Sequence, residues 1–133
     1  MEIFNLVVLA LSGLLLTFAG GTRLVRPVKS LCLNGFKGKY GEGVDKDPDI
    51  LSEMRGAGTF TMLLGLTILA GTVMPQIRPT SFVVGIIMFL GYAVGRSVSM
   101  AIEGKPDEAT VKGLYSEILF AALHIVCFVT LST

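Results

Sequence analysis

Four long apolar runs, separated by polar connections, dominate the chain. They cover residues 3–20, 56–73, 81–102 and 113–131. A helix of about 20 apolar residues crosses a hydrocarbon core of roughly 30 Å, and only helices or closed barrels satisfy their backbone polar groups there. The runs are too long and too evenly apolar for alternating barrel strands. The pattern predicts an all-α, integral membrane four-helix bundle, built as two hairpins in a single domain spanning residues 1–133.

Glycine and proline mark the gaps between the runs, with Pro75 and Pro79 in the second and Gly104 and Pro106 in the third. The first gap, residues 22–52, is the only sizeable polar segment. We expect a solvated loop there, with a short amphipathic helix at 25–33 or a docking surface as alternatives. We also expect the first run to be a retained span rather than a cleaved signal peptide, because no basic residue precedes it.

Charge is sparse and asymmetric. Only 16% of residues are charged and the net charge is +1, which gives no indication of a nucleic-acid partner. Lysine and arginine concentrate in the first and third connections, and the second has only Arg78. By the positive-inside rule, the first and third connections face the cytoplasm, or the matrix or stromal side of an organelle, and both termini face the opposite side.

Neither cysteine has a partner at a spacing typical of metal ligands. Cys32 lies in the first connection and Cys127 in the fourth apolar run, so both are interpreted as unpaired thiols. We find no nucleotide-binding loop and no nucleophile–base pair, and we predict no cofactor, no metal and no enzymatic activity.

Small residues recur at the spacing that lets membrane helices approach closely. Gly13, Thr17 and Gly21 form such a series in the first run, and Gly91, Gly95 and Ser99 form one in the third. Gly58 and Gly65 mark one face of the second run. All three series are predicted to be helix-packing faces.

Charged residues of separate spans reach one predicted depth near the lysine-rich side. Arg96 lies about six residues, or roughly 9 Å, inside the third span, and Glu117 lies a similar distance inside the fourth, measured from the same side. The remaining members of this predicted layer are Glu53, Arg55, Ser99 and Glu103. An unpaired arginine within lipid is costly, so we expect Arg96 to face the bundle interior and pair with Glu117, Glu103 or Glu53. The layer is either a structural ion-pair layer or a site for a polar headgroup or for protons.

His124 is the only histidine and lies two turns after Glu117 on the same helix face. A proton relay from Glu117 to His124 is one hypothesis. The alternative is a histidine that bonds to a hydroxyl or a backbone carbonyl.

Three motifs in order resemble a known family. They are "SEMRGAGTFTMLLGL" at the start of the second run, "GRSVSMAIEGKP" at the end of the third, and Glu117 in the fourth. The chain resembles the DUF4345 family of small four-helix membrane proteins. The resemblance implies the four-helix architecture without an activity, and it marks Glu53, Arg55, Gly56, Arg96, Ser99, Glu103, Gly104, Pro106 and Glu117.

These observations lead to three hypotheses of function. The first is a non-catalytic accessory or structural subunit of a larger membrane complex, with membrane-protein partners. The second is a binder or carrier of a lipid-like or isoprenoid ligand, whose polar head meets Arg55, Arg96 and Glu117. The third is a small proton-coupled transporter.

Overall fold

The computed structural model describes residues 1–28 and 46–132, and this part of the chain forms four long α-helices without any strand. They are α1 (Glu2–Val25), α2 (Pro48–Val73), α3 (Arg78–Glu103) and α4 (Glu108–Ser132). Each helix is long and apolar enough to cross a membrane. The predicted all-α membrane four-helix bundle is therefore confirmed.

The helices extend beyond the predicted spans. The Asp47 carboxylate caps α2 by accepting hydrogen bonds from the backbone N–H groups of Asp49 and Ile50, and Pro48 occupies the first helical turn, where its missing N–H costs nothing. Both ends of the predicted 22–52 loop are consequently helical. Residues 29–45, with Cys32 and most of the alternative amphipathic helix, lie outside the described residues.

The two described connections are short. Met74 and a 3-10 turn at Pro75–Ile77 join α2 to α3. Gly104 ends α3 at φ +98°, a backbone conformation that favours glycine. The Asp107 carboxylate then accepts a hydrogen bond from the Thr110 N–H at 2.8 Å and starts α4.

Successive helices run antiparallel, and the bundle consists of two hairpins. The α1–α2 contact is the most extensive, followed by α3–α4 and then α2–α3. The core between the helices contains Leu9, Ile68, Phe82, Phe89 and Cys127. Large apolar side chains cover the outward faces, as expected of surfaces whose solvent is lipid.

Glycines hold the first hairpin together. A Cβ at Gly65 would lie 2.5 Å from the backbone N of Thr17, and one at Gly20 would lie 2.4 Å from the backbone N of Met62. Only glycine, whose side chain is a single hydrogen atom, lets the backbones of α1 and α2 come this close. The predicted packing of Gly13, Thr17 and Gly65 is confirmed, but Gly20 replaces the predicted Gly21 at the contact.

The predicted packing face of Gly91, Gly95 and Ser99 is wrong. No described atom lies within 4 Å of a Cβ built at Gly91 or Gly95, and Ser99 is exposed. The reason is that α3 presents a different face to its neighbours, with Gly85 against α4 and Ala93 buried.

Candidate functional site

Arg96 and Glu117 form the predicted ion pair between α3 and α4. Arg96 Nη2 lies 3.2 Å from Glu117 Oε1, and Arg96 Nη1 donates to the Thr110 carbonyl at 3.2 Å. The side chains are 24% and 12% exposed. Gly113 makes room for the guanidinium, because a Cβ there would lie 2.7 Å from Arg96 Nη1. The second carboxylate oxygen of Glu117, Oε2, is buried without a hydrogen-bond partner.

Tyr92 connects this pair to the other two helices. Arg23 of α1 donates a hydrogen bond to the Tyr92 hydroxyl at 3.1 Å, and the Thr61 hydroxyl of α2 lies 3.5 Å from the same oxygen. The Arg96 guanidinium lies 5.7 Å from the centroid of the Tyr92 ring, within the range of a cation–π contact. At this level all four helices are therefore joined by polar contacts.

The other predicted members of the layer lie outside this network. Glu53, Arg55, Ser99 and Glu103 are exposed, and in the described ranges neither Glu53 nor Glu103 pairs with Arg96. The Ser99 hydroxyl instead donates a short hydrogen bond to Glu103. Of the three predicted partners of Arg96, the structure selects Glu117 alone.

A groove runs along the outer side of the α2–α3 contact and reaches Arg96. Its apolar part, about 290 Å³, lies between the two helices. Its second part, about 420 Å³, is an open depression on α3 alone that is bordered by Arg96 and Ser99 and shares Gly91 and Tyr92 with the apolar part. We call it the Arg96 part. We call both parts together the α2–α3 groove. Its lining residues are Phe60, Leu64, Val84, Ile87, Met88, Gly91, Tyr92, Gly95, Arg96 and Ser99.

The absence of side chains at Gly91 and Gly95 shapes this groove. Both glycines face open space where larger residues would fill the surface. At its other end the α2–α3 contact is closed, since Ser81 packs on Gly71 and donates to the Thr67 carbonyl at 2.9 Å. The groove is therefore open to lipid along its length and has one cationic wall near the polar end of the bundle.

Sequence reasoning missed several residues of the network, namely Arg23, Thr61, Tyr92, Thr110 and Gly113. Tyr92 could have been found, since it precedes Arg96 by four residues and so shares its helix face. The other contacts depend on how separate helices align, and no local pattern reports this.

His124 has the environment of a structural histidine. Its Nδ1 lies 2.8 Å from the Phe120 carbonyl, which can only accept, and its Nε2 lies 3.2 Å from the Ser12 hydroxyl. The ring is fully buried and packs against Gly85. The predicted bonding to a hydroxyl and a backbone carbonyl is confirmed. Both ring nitrogens of His124 thus have partners other than Glu117. The relay from Glu117 to His124 is not tested by these contacts and stays a prediction.

A metal site is not apparent in the described ranges. No group of three or more His, Cys, Asp or Glu side chains is arranged there to hold an ion. Cys127 is a buried free thiol.

Comparison with known proteins gives one family. No curated protein and no solved structure matches the chain. The family model described as "Domain of unknown function (DUF4345)" matches residues 4–128, nearly the whole chain. The three motifs of the sequence and the four-helix architecture agree with this match, and the chain belongs to the DUF4345 family.

Proposed function

We propose that this protein is a non-catalytic membrane protein that holds a lipid-like amphiphile in the α2–α3 groove. The observation that carries the proposal is that the apolar part between two helices and the Arg96 part on α3 share Gly91 and Tyr92 and so form one groove with a guanidinium at its border. A hydrocarbon chain fits the apolar part because its walls are Phe60, Leu64 and Val84. A polar head then lies at Tyr92, Arg96 and Ser99.

Arg96 has donors to offer such a head. A guanidinium has five N–H groups, and the contacts with Glu117 and Thr110 use two of them. The side chain is held in place by the ion pair and the Tyr92 ring, yet remains a quarter exposed. Arg55 is no longer part of the proposed headgroup site, because it lies on the opposite face of α2 from Phe60.

The test fills the groove without touching the bundle interior. Gly95→Leu places a side chain in the open Arg96 part of the groove, and Ala122→Leu adds a leucine side chain to an exposed position on α4. Both variants and the unmodified protein are purified in mild detergent and analysed by native mass spectrometry for retained lipid. We expect Gly95→Leu to lose the lipid and Ala122→Leu to keep it. Equal retention by both variants contradicts the proposal.

A second candidate is the accessory subunit of a membrane complex, favoured by the same open face of α3. Gly91, Gly95 and Ser99 offer the small-residue surface on which a helix of another membrane protein packs closely. Stoichiometric partners that copurify with the unmodified protein but not with Gly95→Leu support this candidate. A solitary monomer that retains lipid supports the first.

We also propose that the Arg96 end of the bundle faces the cytoplasm, or the matrix or stromal side. The described basic residues at this end are Arg23, Arg26, Lys46, Arg55, Lys105 and Lys112, while Arg78 lies at the other end beside Glu2. Lys105→Cys and Met74→Cys test the orientation. Each is introduced separately into a chain with Cys32→Ser, and intact cells are labelled with a membrane-impermeant thiol reagent. Labelling at position 74 alone is expected, and labelling at position 105 alone reverses the assignment.

A further inference from the structure

We propose that the two hairpins hinge at the Arg78 end of the bundle and separate at the Arg96 end, and that an amphiphile in the α2–α3 groove holds them together. This inference rests on the proposed function and gives the bound molecule control over the docking of the hairpins. It follows from how the contacts between the hairpins are distributed along the bundle.

The two hairpins meet mainly along α2 and α3. The contacts of α1 with α3 and with α4 are much less extensive. In the middle of the bundle, the Ser12 hydroxyl of α1 lies 3.2 Å from Nε2 of His124 on α4 and joins the hairpins by a hydrogen bond. The docking of the hairpins therefore depends largely on the α2–α3 contact.

The α2–α3 contact is closed at the Arg78 end. Ser81 is fully buried against Gly71 and donates to the Thr67 carbonyl at 2.9 Å. Arg78 donates through Nε to the Gly71 carbonyl at 3.2 Å, and its Nη1 lies 3.6 Å from Glu2 Oε1 on α1. Direct packing and polar contacts thus hold the two hairpins together at this end.

The same contact is open at the Arg96 end. The apolar part of the groove, about 290 Å³, lies between Phe60 and Leu64 of α2 and Val84 and Ile87 of α3. The Phe60 side is not covered by protein, since this residue is 63% exposed. The apolar walls of α2 and α3 therefore leave a space between the hairpins that a hydrocarbon chain can fill.

The described polar links between the hairpins at this end converge on Tyr92. Its hydroxyl accepts a hydrogen bond from Arg23 of α1 at 3.1 Å and lies 3.5 Å from the Thr61 hydroxyl of α2. The ion pair of Arg96 with Glu117 joins α3 to α4. It therefore stabilises the second hairpin internally and does not hold that hairpin to the first.

The connectivity of the chain places the hinge. Met74 and the turn Pro75–Ile77 link the hairpins covalently at the Arg78 end. The α1–α2 and α3–α4 connections lie at the Arg96 end, but each joins two helices of the same hairpin. Hinge motions are absorbed by a few residues in loops or at the ends of helices. A separation of the hairpins consequently pivots near residues 74–77 and is widest at the groove.

An amphiphile in the groove contacts walls that belong to both hairpins. Separation moves Phe60 and Leu64 away from Val84 and Ile87, so the amphiphile binds the docked form in preference to the separated form. A ligand with this preference shifts the equilibrium toward the docked form by mass action. Loss of the amphiphile therefore favours separation at the Arg96 end.

Thiol labelling at position 61 measures the separation. Thr61 is 3% exposed and is not among the residues that line the groove. An occupant of the groove therefore protects this position by keeping the hairpins docked rather than by covering it. Thr61→Cys is introduced into a chain with Cys32→Ser and Cys127→Ala, freed of lipid in mild detergent and labelled with N-ethylmaleimide. The reference is Cys127 in a Cys32→Ser chain, because Cys127 is fully buried and lies nearer the Arg78 end.

Without lipid, we expect position 61 to be labelled at least about tenfold faster than position 127, because the separation is a local opening that leaves the closed end folded. Equimolar phosphatidylethanolamine, phosphatidylcholine and phosphatidylglycerol are then added at about ten times the apparent dissociation constant from native mass spectrometry. Labelling at position 61 is expected to slow about tenfold, since binding lowers the population of the separated form in that proportion. Adding Gly95→Leu, which fills the Arg96 part of the groove, is expected to abolish this protection.

Equal labelling rates at positions 61 and 127 without lipid overturn the hinge. Lipid that is bound in native mass spectrometry but does not slow labelling at position 61 overturns the link between the groove and the hinge, and it leaves the lipid-binding proposal intact. If none of the three lipids is bound, the lipid-binding proposal itself is wrong.

Discussion

Glycine closes the contact of α2 with α1 along its length but leaves part of the contact of α2 with α3 open. Toward α1, Gly58 and Gly65 remove side chains so that two backbones can touch, and any Cβ there would meet backbone atoms within 3 Å. Toward α3, Gly71 packs on Ser81 at one end of the contact, whereas Gly91 and Gly95 of α3 leave an open groove at the other. The same residue type at a similar spacing closes one contact and opens the other. The spacing of small residues therefore predicts only a helix face without large side chains. Whether that face packs closely or stays open depends on the neighbouring helix.

The strongest way to break this comparison is to add the same side chain on both sides of α2. Gly65→Val forces a Cβ onto the Thr17 backbone, and we expect the free energy of unfolding to fall by about 3 kcal/mol or more. Gly95→Val adds bulk to open space and is expected to change it little. The measurement is the labelling rate of buried Cys127 in a Cys32→Ser chain as SDS is added to mild detergent. An equal loss of unfolding free energy in Gly65→Val and Gly95→Val contradicts the contrast between the closed and the open contact.

The second test concerns the ion pair that borders the groove. Glu117→Leu leaves Arg96 without its carboxylate, and we expect a loss of about 3 kcal/mol in the free energy of unfolding, at the low end for a buried pair because Arg96 is partly exposed. Replacing both residues, Arg96→Met with Glu117→Leu, is expected to recover most of that loss, since no unpaired charge remains. The same Cys127 labelling measures it.

The control for Glu117→Leu is Glu108→Leu, which breaks the exposed pair with Lys112. It is expected to have no measurable effect on the free energy of unfolding. A double variant that is as unstable as Glu117→Leu alone contradicts the ion-pair account.

The third test sharpens the comparison within the second hairpin. A Cβ at Gly85 would lie 2.0 Å from His124 Cδ2, so Gly85→Ala is expected to lower the free energy of unfolding by about 2 kcal/mol. Because the clash is with a side chain, His124→Ala in the same chain should relieve it. A double-mutant cycle that gives an interaction of about 1 kcal/mol or more supports this contact, and strict additivity refutes it.

The smallest expected effect concerns the hydroxyl that links three helices. Tyr92→Phe removes the acceptor of the Arg23 hydrogen bond, and we expect a loss of about 0.6 kcal/mol, the average for hydrogen bonds between membrane helices. Tyr115→Phe, at a position that is 67% exposed, serves as the matched control and should leave labelling of Cys127 unchanged. If the two variants behave alike, the hydroxyl of Tyr92 contributes nothing to the bundle.

Much of the fold could be predicted from the sequence because lipid imposes one strong rule. A run of about 20 apolar residues has few options other than a spanning helix, and so the number of helices and their hairpin order are correct. The helix ends differ from the prediction because they depend on caps, such as the Asp47 carboxylate, rather than on hydropathy.

The site could be predicted only in part. Equal depth and opposite charge pointed to Arg96 and Glu117 as a pair, since a lone guanidinium in lipid must find a partner. Depth does not determine rotation about the helix axis, however. Glu53 and Arg55 begin the same helix, but they lie on different faces, and neither faces Arg96 directly. Tyr92 was missed although its spacing of four residues from Arg96 places both on one helix face; its hydrogen bonds to α1 and α2 depend on how the helices align.

The contact between Gly85 and His124 has a consequence for how this family can vary. The imidazole occupies space that exists only while position 85 has no side chain. Positions 85 and 124 are therefore expected to covary among homologues. A homologue with a larger residue at the first site should have a smaller one at the second. Replacement of His124 would also remove the ring partner of the Ser12 hydroxyl. Position 12 of α1 is therefore expected to covary with position 124.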